Sequence, residues 1–104
     1  MTRVAVVGAG SWGTALSAVL AKKGHDVCVW AFEPEVAEQI THGRENVSYL
    51  SGIKLPENLG STADLATALE GAEIVVSVSP AQVVGPVMAE AAAHIEDGAL
   101  IVSA

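Results

Sequence analysis

Residues Val4 to Gly13 read VAVVGAGSWG, and no other stretch of the chain restricts the fold as tightly. Four strand-type residues run into G-x-G-x-x-G, with glycines at Gly8, Gly10 and Gly13, and a helix pattern, TALSAVLAKKG, follows at once. Each glycine has its own physical reason. Gly8 permits a tight turn off the strand. Gly10 lacks a side chain, so a pyrophosphate can approach the backbone. Gly13 lets helix and strand pack closely. The free N–H groups at the helix start, from Ser11 to Gly13, then face a ligand's negative charge. The glycine spacing alone is common, and its context carries the weight. A strand precedes it, a helix follows, and a second strand from Asp26 to Trp30 leads to an acidic residue, Glu33, twenty positions after Gly13.

The rest of the chain repeats this alternation. The first strand covers Arg3 to Val7, and the first helix runs from Ser11 to Lys23 and stops at Gly24, a favoured residue past a helix end. The second strand is Asp26 to Ala31. Pro34 opens a second helix that fades near Gly43, and a polar loop spans Arg44 to Gly60. A short strand is expected near Ser61, and Asp64 caps a brief helix, Leu65 to Leu69, ending at Gly71. Ala72 to Val78 is a nearly continuous apolar run, the mark of a strand buried on both faces. Ser79-Pro80 ends it. An alanine-rich helix is expected over Gln82 to His94, interrupted by Gly85-Pro86, then a turn at Asp97-Gly98 and a last strand, Ala99 to Ser103. The pattern predicts an α/β fold, a Rossmann-type doubly wound parallel sheet of about five strands with helices on both faces.

The chain stops at LIVSA, inside a buried-type strand. A complete doubly wound domain would continue, so residues 1–104 are expected to be the dinucleotide-binding part of something longer. The strand Ala99 to Ser103 should lie outside Ala72 to Val78, with a bare edge through which the chain self-associates.

Composition narrows the partners. The 104 residues are 51% hydrophobic and 16% charged, which fits one globular domain with a modest core. A net charge of −7 argues against nucleic acid or an anionic membrane as partner. It leaves room for an anionic ligand, because a helix N-terminus binds phosphate locally whatever the global charge. No run is long and apolar enough to span a membrane. Arg3 and the apolar stretch after it superficially mimic a signal peptide, but three glycines interrupt it, and phosphate binding explains their spacing better. The single cysteine, Cys28, falls inside a predicted strand and reads as a buried thiol, which suits a reducing cytoplasm.

From Gly8 onward the chain resembles the N-terminal domain of NAD(P)-dependent glycerol-3-phosphate dehydrogenase. The resemblance is carried by GAGSWGTAL (Gly8 to Leu16), VCVWAFE (Val27 to Glu33), RENVSYLSGIKLPENL (Arg44 to Leu59), DLATAL (Asp64 to Leu69) and VSVSPAQVV (Val76 to Val84). The first and third blocks are distinctive; many Rossmann enzymes share the others. The resemblance implies that Ser11 and Trp12 hold a pyrophosphate through backbone amides and the serine hydroxyl. It places Phe32 at the adenosine end of the cofactor with Glu33 after it, brings Tyr49 toward the cofactor, and sets Pro80 on the nicotinamide side. Ser51 stands where the family usually has proline, and Ala81 where serine or histidine is frequent; neither touches the phosphate-binding turn. The family's catalytic lysines would come after Ala104, the second in a helical C-terminal substrate domain, so no catalytic residue is assigned within this chain. The implied cofactor is NAD, with NADP as the alternative. The implied whole enzyme interconverts dihydroxyacetone phosphate and sn-glycerol 3-phosphate by hydride transfer and feeds glycerolipid synthesis.

Simpler readings stand beside these. Trp12 and Phe32 could be ordinary packing or loop aromatics, and Trp30 reads as core. His25, His42 and His94 are scattered at helix ends and turns, and no two have metal-ligand spacing. Glu33 carries more. An acid after the second strand accepts hydrogen bonds from ribose hydroxyls and repels the extra phosphate of NADP, and no arginine or lysine lies between Ala31 and Gln39 to neutralise it. NAD is therefore expected over NADP. Two other classes use a similar first turn: a transferase binding S-adenosylmethionine, and a non-catalytic nucleotide-sensing module. The third glycine and the tight strand-to-helix junction favour a dinucleotide.

Overall fold

The strands bury both faces, and this decides the architecture. In a computed structural model, which describes residues 2–78, 89, 93–95 and 98–103, strand β1 (Arg3–Val7) sends Val4 and Val6 to one face and Ala5 and Val7 to the other. Strand β2 (Asp26–Trp30) does the same with Val27 and Val29 against Cys28 and Trp30. A sheet apolar on both sides must be covered on both. Helices α1 (Ser11–Lys22) and α2 (Pro34–Gly43) cover the first face with Ala18, Ala21, Val36 and Ile40, and α3 (Leu65–Leu69) covers the second with Leu65, Ala68 and Leu69.

With β3 (Leu59–Thr62), β4 (Ile74–Ser77) and β5 (Leu100–Ser103), the order across the sheet is β3-β2-β1-β4-β5, and every pairing is parallel. Val6 lies beside Val29 on one side and Val76 on the other. The chain moves outward from β1 to β3, then returns past β1 to β4. That reversal leaves a crevice beyond the carboxyl ends of β1 and β4, where ligands of such sheets bind. The predicted Rossmann-type sheet is therefore present, and β5 lies outside β4 as expected, with Leu100, Ile101 and Val102 exposed.

Element ends follow local chemistry. Gly24, at φ +94°, turns the chain out of α1 one residue earlier than Lys23 would suggest. Pro34 occupies the first turn of α2, whose end falls at Arg44 in the left-handed region, φ 55°. The Arg44 guanidinium there donates to the carbonyls of Pro56 (3.1 Å) and Leu59. The polar loop is thus tied down, with Leu55 and Asn46 buried beneath it. Asp64 stands at the N-cap position of α3, but its carboxylate accepts from the Thr67 hydroxyl (2.6 Å) and not from a backbone N–H. Strand β4 is shorter than the run Ala72 to Val78: Ala72 and Glu73 form the approach to it, and Val78 lies just past its end. The Ser79-Pro80 break and most of the helix expected over Gln82 to His94, including Gly85-Pro86, lie outside the described residues.

Candidate functional site: a cleft at the glycine turn

The cleft begins with backbone geometry. Gly8 leaves β1 at φ +123°, a conformation that L side chains rarely adopt, while its N–H still donates to the Trp30 carbonyl (3.0 Å). The first bond of α1 runs from the Thr14 N–H to the Gly10 carbonyl (3.0 Å). Hence Ser11, Trp12 and Gly13 occupy the first three helical positions, whose amides have no acceptor within the helix. No side chain caps this end, and no acidic residue sits in its first turn. The positive end of the α1 dipole therefore opens into the cleft with no acidic residue of its own turn to offset it.

The other two glycines divide their roles as the sequence implies. A Cβ at Gly10 would meet nothing within 4 Å, whereas a Cβ at Gly13 would fall 1.9 Å from the Gly8 carbonyl oxygen and 2.8 Å from Val78 Cγ2. Gly10 thus keeps open the space in front of the turn. Gly13 is required by the contact between helix and strand.

Around the turn lies a cleft of about 490 Å³, within the usual range for small-molecule sites. It brings together Gly8, Gly10, Ser11, Trp12, Gly13, Phe32, Glu33 and Tyr49, every predicted cofactor-binding residue except Pro80, which lies outside the described residues. Three of the chain's four aromatic residues sit at its rim and face solvent: Trp12 (62% exposed), Phe32 (69%) and Tyr49 (44%). The fourth, Trp30, is core as expected, and it also forms part of the cleft wall. Its indole N–H donates to the Ala63 carbonyl (3.0 Å), and its ring meets Phe32 edge-on, centroids 5.9 Å apart at 87°. Exposed aromatics around an apolar hollow offer a planar ligand broad contact.

Glu33 and Tyr49 close the far end. The Tyr49 hydroxyl donates to Glu33 Oε2 at 2.5 Å, across sixteen residues of sequence. That hydrogen bond, assisted by partial desolvation and by the charges of Glu33 and Glu35, raises the tyrosine pKa above its ordinary value of 10.0. Among the described residues, no lysine or arginine lines the cleft. Cys28 lies elsewhere, buried in the sheet, where desolvation pushes its thiol pKa up. Among the described residues, no cluster of three or more metal-ligating side chains occurs and no helix is long and apolar enough to cross a membrane.

Three contributors escaped sequence reasoning. Ala9 and Val78 line the cleft, and Asn46 lies directly behind it, donating to the Ala9 carbonyl at 2.8 Å. No local signal pointed to Asn46: its Oδ1 accepts from the Tyr49 N–H three residues on (3.1 Å), one residue beyond the usual asparagine turn, and its other partners are distant in sequence.

Comparison with known proteins agrees with this geometry. Residues 3–104 match the family described as NAD-dependent glycerol-3-phosphate dehydrogenase N-terminus. A glycerol-3-phosphate dehydrogenase (NAD(P)+) from Citrifermentans bemidjiense is 49% identical over 102 residues, 98% of this chain and 30% of that protein. Its counterpart from Bacillus licheniformis is 41% identical over the same shares. The crystal structure of glycerol-3-phosphate dehydrogenase from Coxiella burnetii superposes with a TM-score of 0.92 at 33% identity, covering 98% of this chain and 31% of that one. The chain therefore spans about 30% of the length of the relatives it matches. With the glycine turn, the parallel order of the sheet and a match over nearly every residue, the chain belongs to the NAD-dependent glycerol-3-phosphate dehydrogenase N-terminal family.

Proposed function

We propose that this chain is the NAD(H)-binding domain of an oxidoreductase that interconverts dihydroxyacetone phosphate and sn-glycerol 3-phosphate. The observation that carries the reading is the open space at Gly10, facing a helix N-terminus with free amides inside a cleft rimmed by aromatics. A dinucleotide fits that donor set. Its pyrophosphate meets the amides of Ser11 to Gly13 and the Ser11 hydroxyl, with Gly8 and Gly10 giving clearance and Trp12 alongside. Phe32 supports the adenine end. Glu33, oriented by Tyr49, accepts from the adenosine ribose hydroxyls. Pro80 belongs to the nicotinamide side. NAD is favoured over NADP because Glu33 would face the 2′-phosphate with no cation beside it.

The bound nicotinamide supplies the hydride chemistry, and the protein's task is to hold it in place. What this chain does is bind, orient and partly shield the dinucleotide. No residue of it is assigned a catalytic role; by the family resemblance one catalytic lysine would follow Ala104, and a second would lie with the substrate site in a helical C-terminal domain. A cytoplasmic setting suits the lone buried thiol of Cys28.

Family membership weighs against the S-adenosylmethionine-binding transferase and the nucleotide-sensing module. Titration of the chain with NADH, NADPH and S-adenosylmethionine separates the readings, with Trp12 and Trp30 fluorescence as the signal. NADH should bind most tightly and S-adenosylmethionine not at all, and the 104-residue chain alone should not turn over dihydroxyacetone phosphate. Tighter binding of S-adenosylmethionine than of NADH would overturn the proposal.

A further inference from the structure

Asn46 is fully buried, yet it comes from an irregular loop and does not line the cleft. Its amide is spent in three directions. Nδ2 donates to the Ala9 carbonyl (2.8 Å) and to Thr14 Oγ1 (2.8 Å), while Oδ1 accepts from the Tyr49 N–H (3.1 Å). The orientation is unambiguous, because a carbonyl can only accept and a backbone N–H can only donate. The Thr14 hydroxyl also donates to the Ala9 carbonyl (3.2 Å), so that one oxygen is drawn into the interior by two donors. Across a trans peptide the next N–H points the opposite way, so holding the Ala9 carbonyl inward turns the Gly10 N–H outward. On its other side the same amide holds Tyr49, whose hydroxyl holds Glu33.

We infer that Asn46 is a positioning residue that sets both ends of the cleft at once, the anion-binding turn through Ala9 and the acid at the ribose end through Tyr49. For its effect on affinity, this rests on the cofactor-binding reading above. The two ends are far apart in sequence and share no element of secondary structure; one buried amide links them. A residue that served only to fill space there would leave the orientation of the turn and the state of Tyr49 to other contacts.

The test uses Asn46→Ala in the 104-residue chain, whose only tyrosine is Tyr49. Two readouts are taken on the folded variant. Tyrosinate absorbance should show Tyr49 titrating closer to the ordinary tyrosine range, because its link to Glu33 is loosened; a merely structural role would not move it. The dissociation constant for NADH should rise about tenfold, the scale of one or two lost hydrogen bonds. In a Thr14→Val background the further loss should be smaller, since both side chains act on the same carbonyl. If the variant does not fold, amide hydrogen exchange of the parent decides. NADH should slow exchange at the Tyr49 N–H, and unchanged exchange there would count against the inference. A folded Asn46→Ala that leaves both the Tyr49 titration and NADH affinity as in the parent overturns it. Should the parent itself bind no NADH, the cofactor reading fails, while the Tyr49 titration still tests Asn46.

Discussion

Gly10 and Gly13 stand three residues apart in one motif, and the structure predicts opposite consequences for filling them. A methyl at Gly13 would lie 1.9 Å from the Gly8 carbonyl oxygen, where non-bonded carbon contacts want well over 3 Å. That oxygen is backbone and cannot swing aside as the Val78 side chain could, so α1 and the end of β1 must separate by about 1 Å or more. Overpacking of this kind costs about 1 to 3 kcal/mol where side chains can shift, and a backbone carbonyl that cannot move aside puts Gly13→Ala at the upper end. Against this, alanine in a helix is favoured over glycine by about 1 kcal/mol. The net loss is about 2 kcal/mol, a substantial part of the stability of a small domain. At Gly10 an added Cβ meets no atom within 4 Å, so Gly10→Val should cost little stability, yet its side chain would stand in the space proposed for the pyrophosphate and should abolish NADH binding. Urea denaturation of both variants, paired with NADH titration, reads the two effects separately. Gly13→Ala as stable as the parent, or Gly10→Val binding NADH as the parent does, would refute the division of labour between them.

Two further outcomes follow from the far end of the cleft. Glu33→Arg should narrow or reverse a preference for NADH over NADPH that we expect to be about ten- to a hundredfold in the parent; equal affinities of the parent for the two would show that Glu33 does not face the 2′-phosphate. The Tyr49 hydroxyl donates to Glu33 and its pKa is raised, so the bond is intact below the ordinary tyrosine pKa of 10.0 and its contribution is lost as pH climbs through the higher folded value. Absorbance titration should show Glu33→Gln moving the only tyrosine back toward 10.0, and an unmoved midpoint would mean the bond does not form in solution.

Local chemistry made much of this fold legible. β1, the glycine turn and α1 follow from one motif, because the turn, the clearance and the close packing each demand glycine at a different place. The buried strands β2 and β4 follow from apolar runs, and Pro34 and Gly24 mark helix ends through backbone rules alone. The position of β5 follows from chain order and right-handed crossovers. Where the reading was loose, at Asp64 and at the ends of β4, the competing partners were a neighbouring hydroxyl and the sheet register, which local propensity does not contain.

The site divides along the same line. Groups that act through their own backbone, Gly8 to Gly13, were readable because the backbone requirement is written into residue type. Glu33 was readable because it follows the end of β2, and Phe32 through the family resemblance. The Tyr49–Glu33 bond and the Asn46 amide were not, since each joins the loop after α2 to a distant element and depends on how that loop folds back. The loop returns there because Arg44, in a left-handed conformation, ties its start to the Pro56 and Leu59 carbonyls, and because Leu55 is buried beneath it. A turn of three glycines is soft by composition, and Gly10 in particular has no side chain to hold it. The rigidity an anion site needs must then come from outside the motif. Here it comes from Asn46 and Thr14 gripping the one carbonyl between Gly8 and Gly10, so the segment that looks least structured in the sequence is the one that keeps the most recognisable motif in shape.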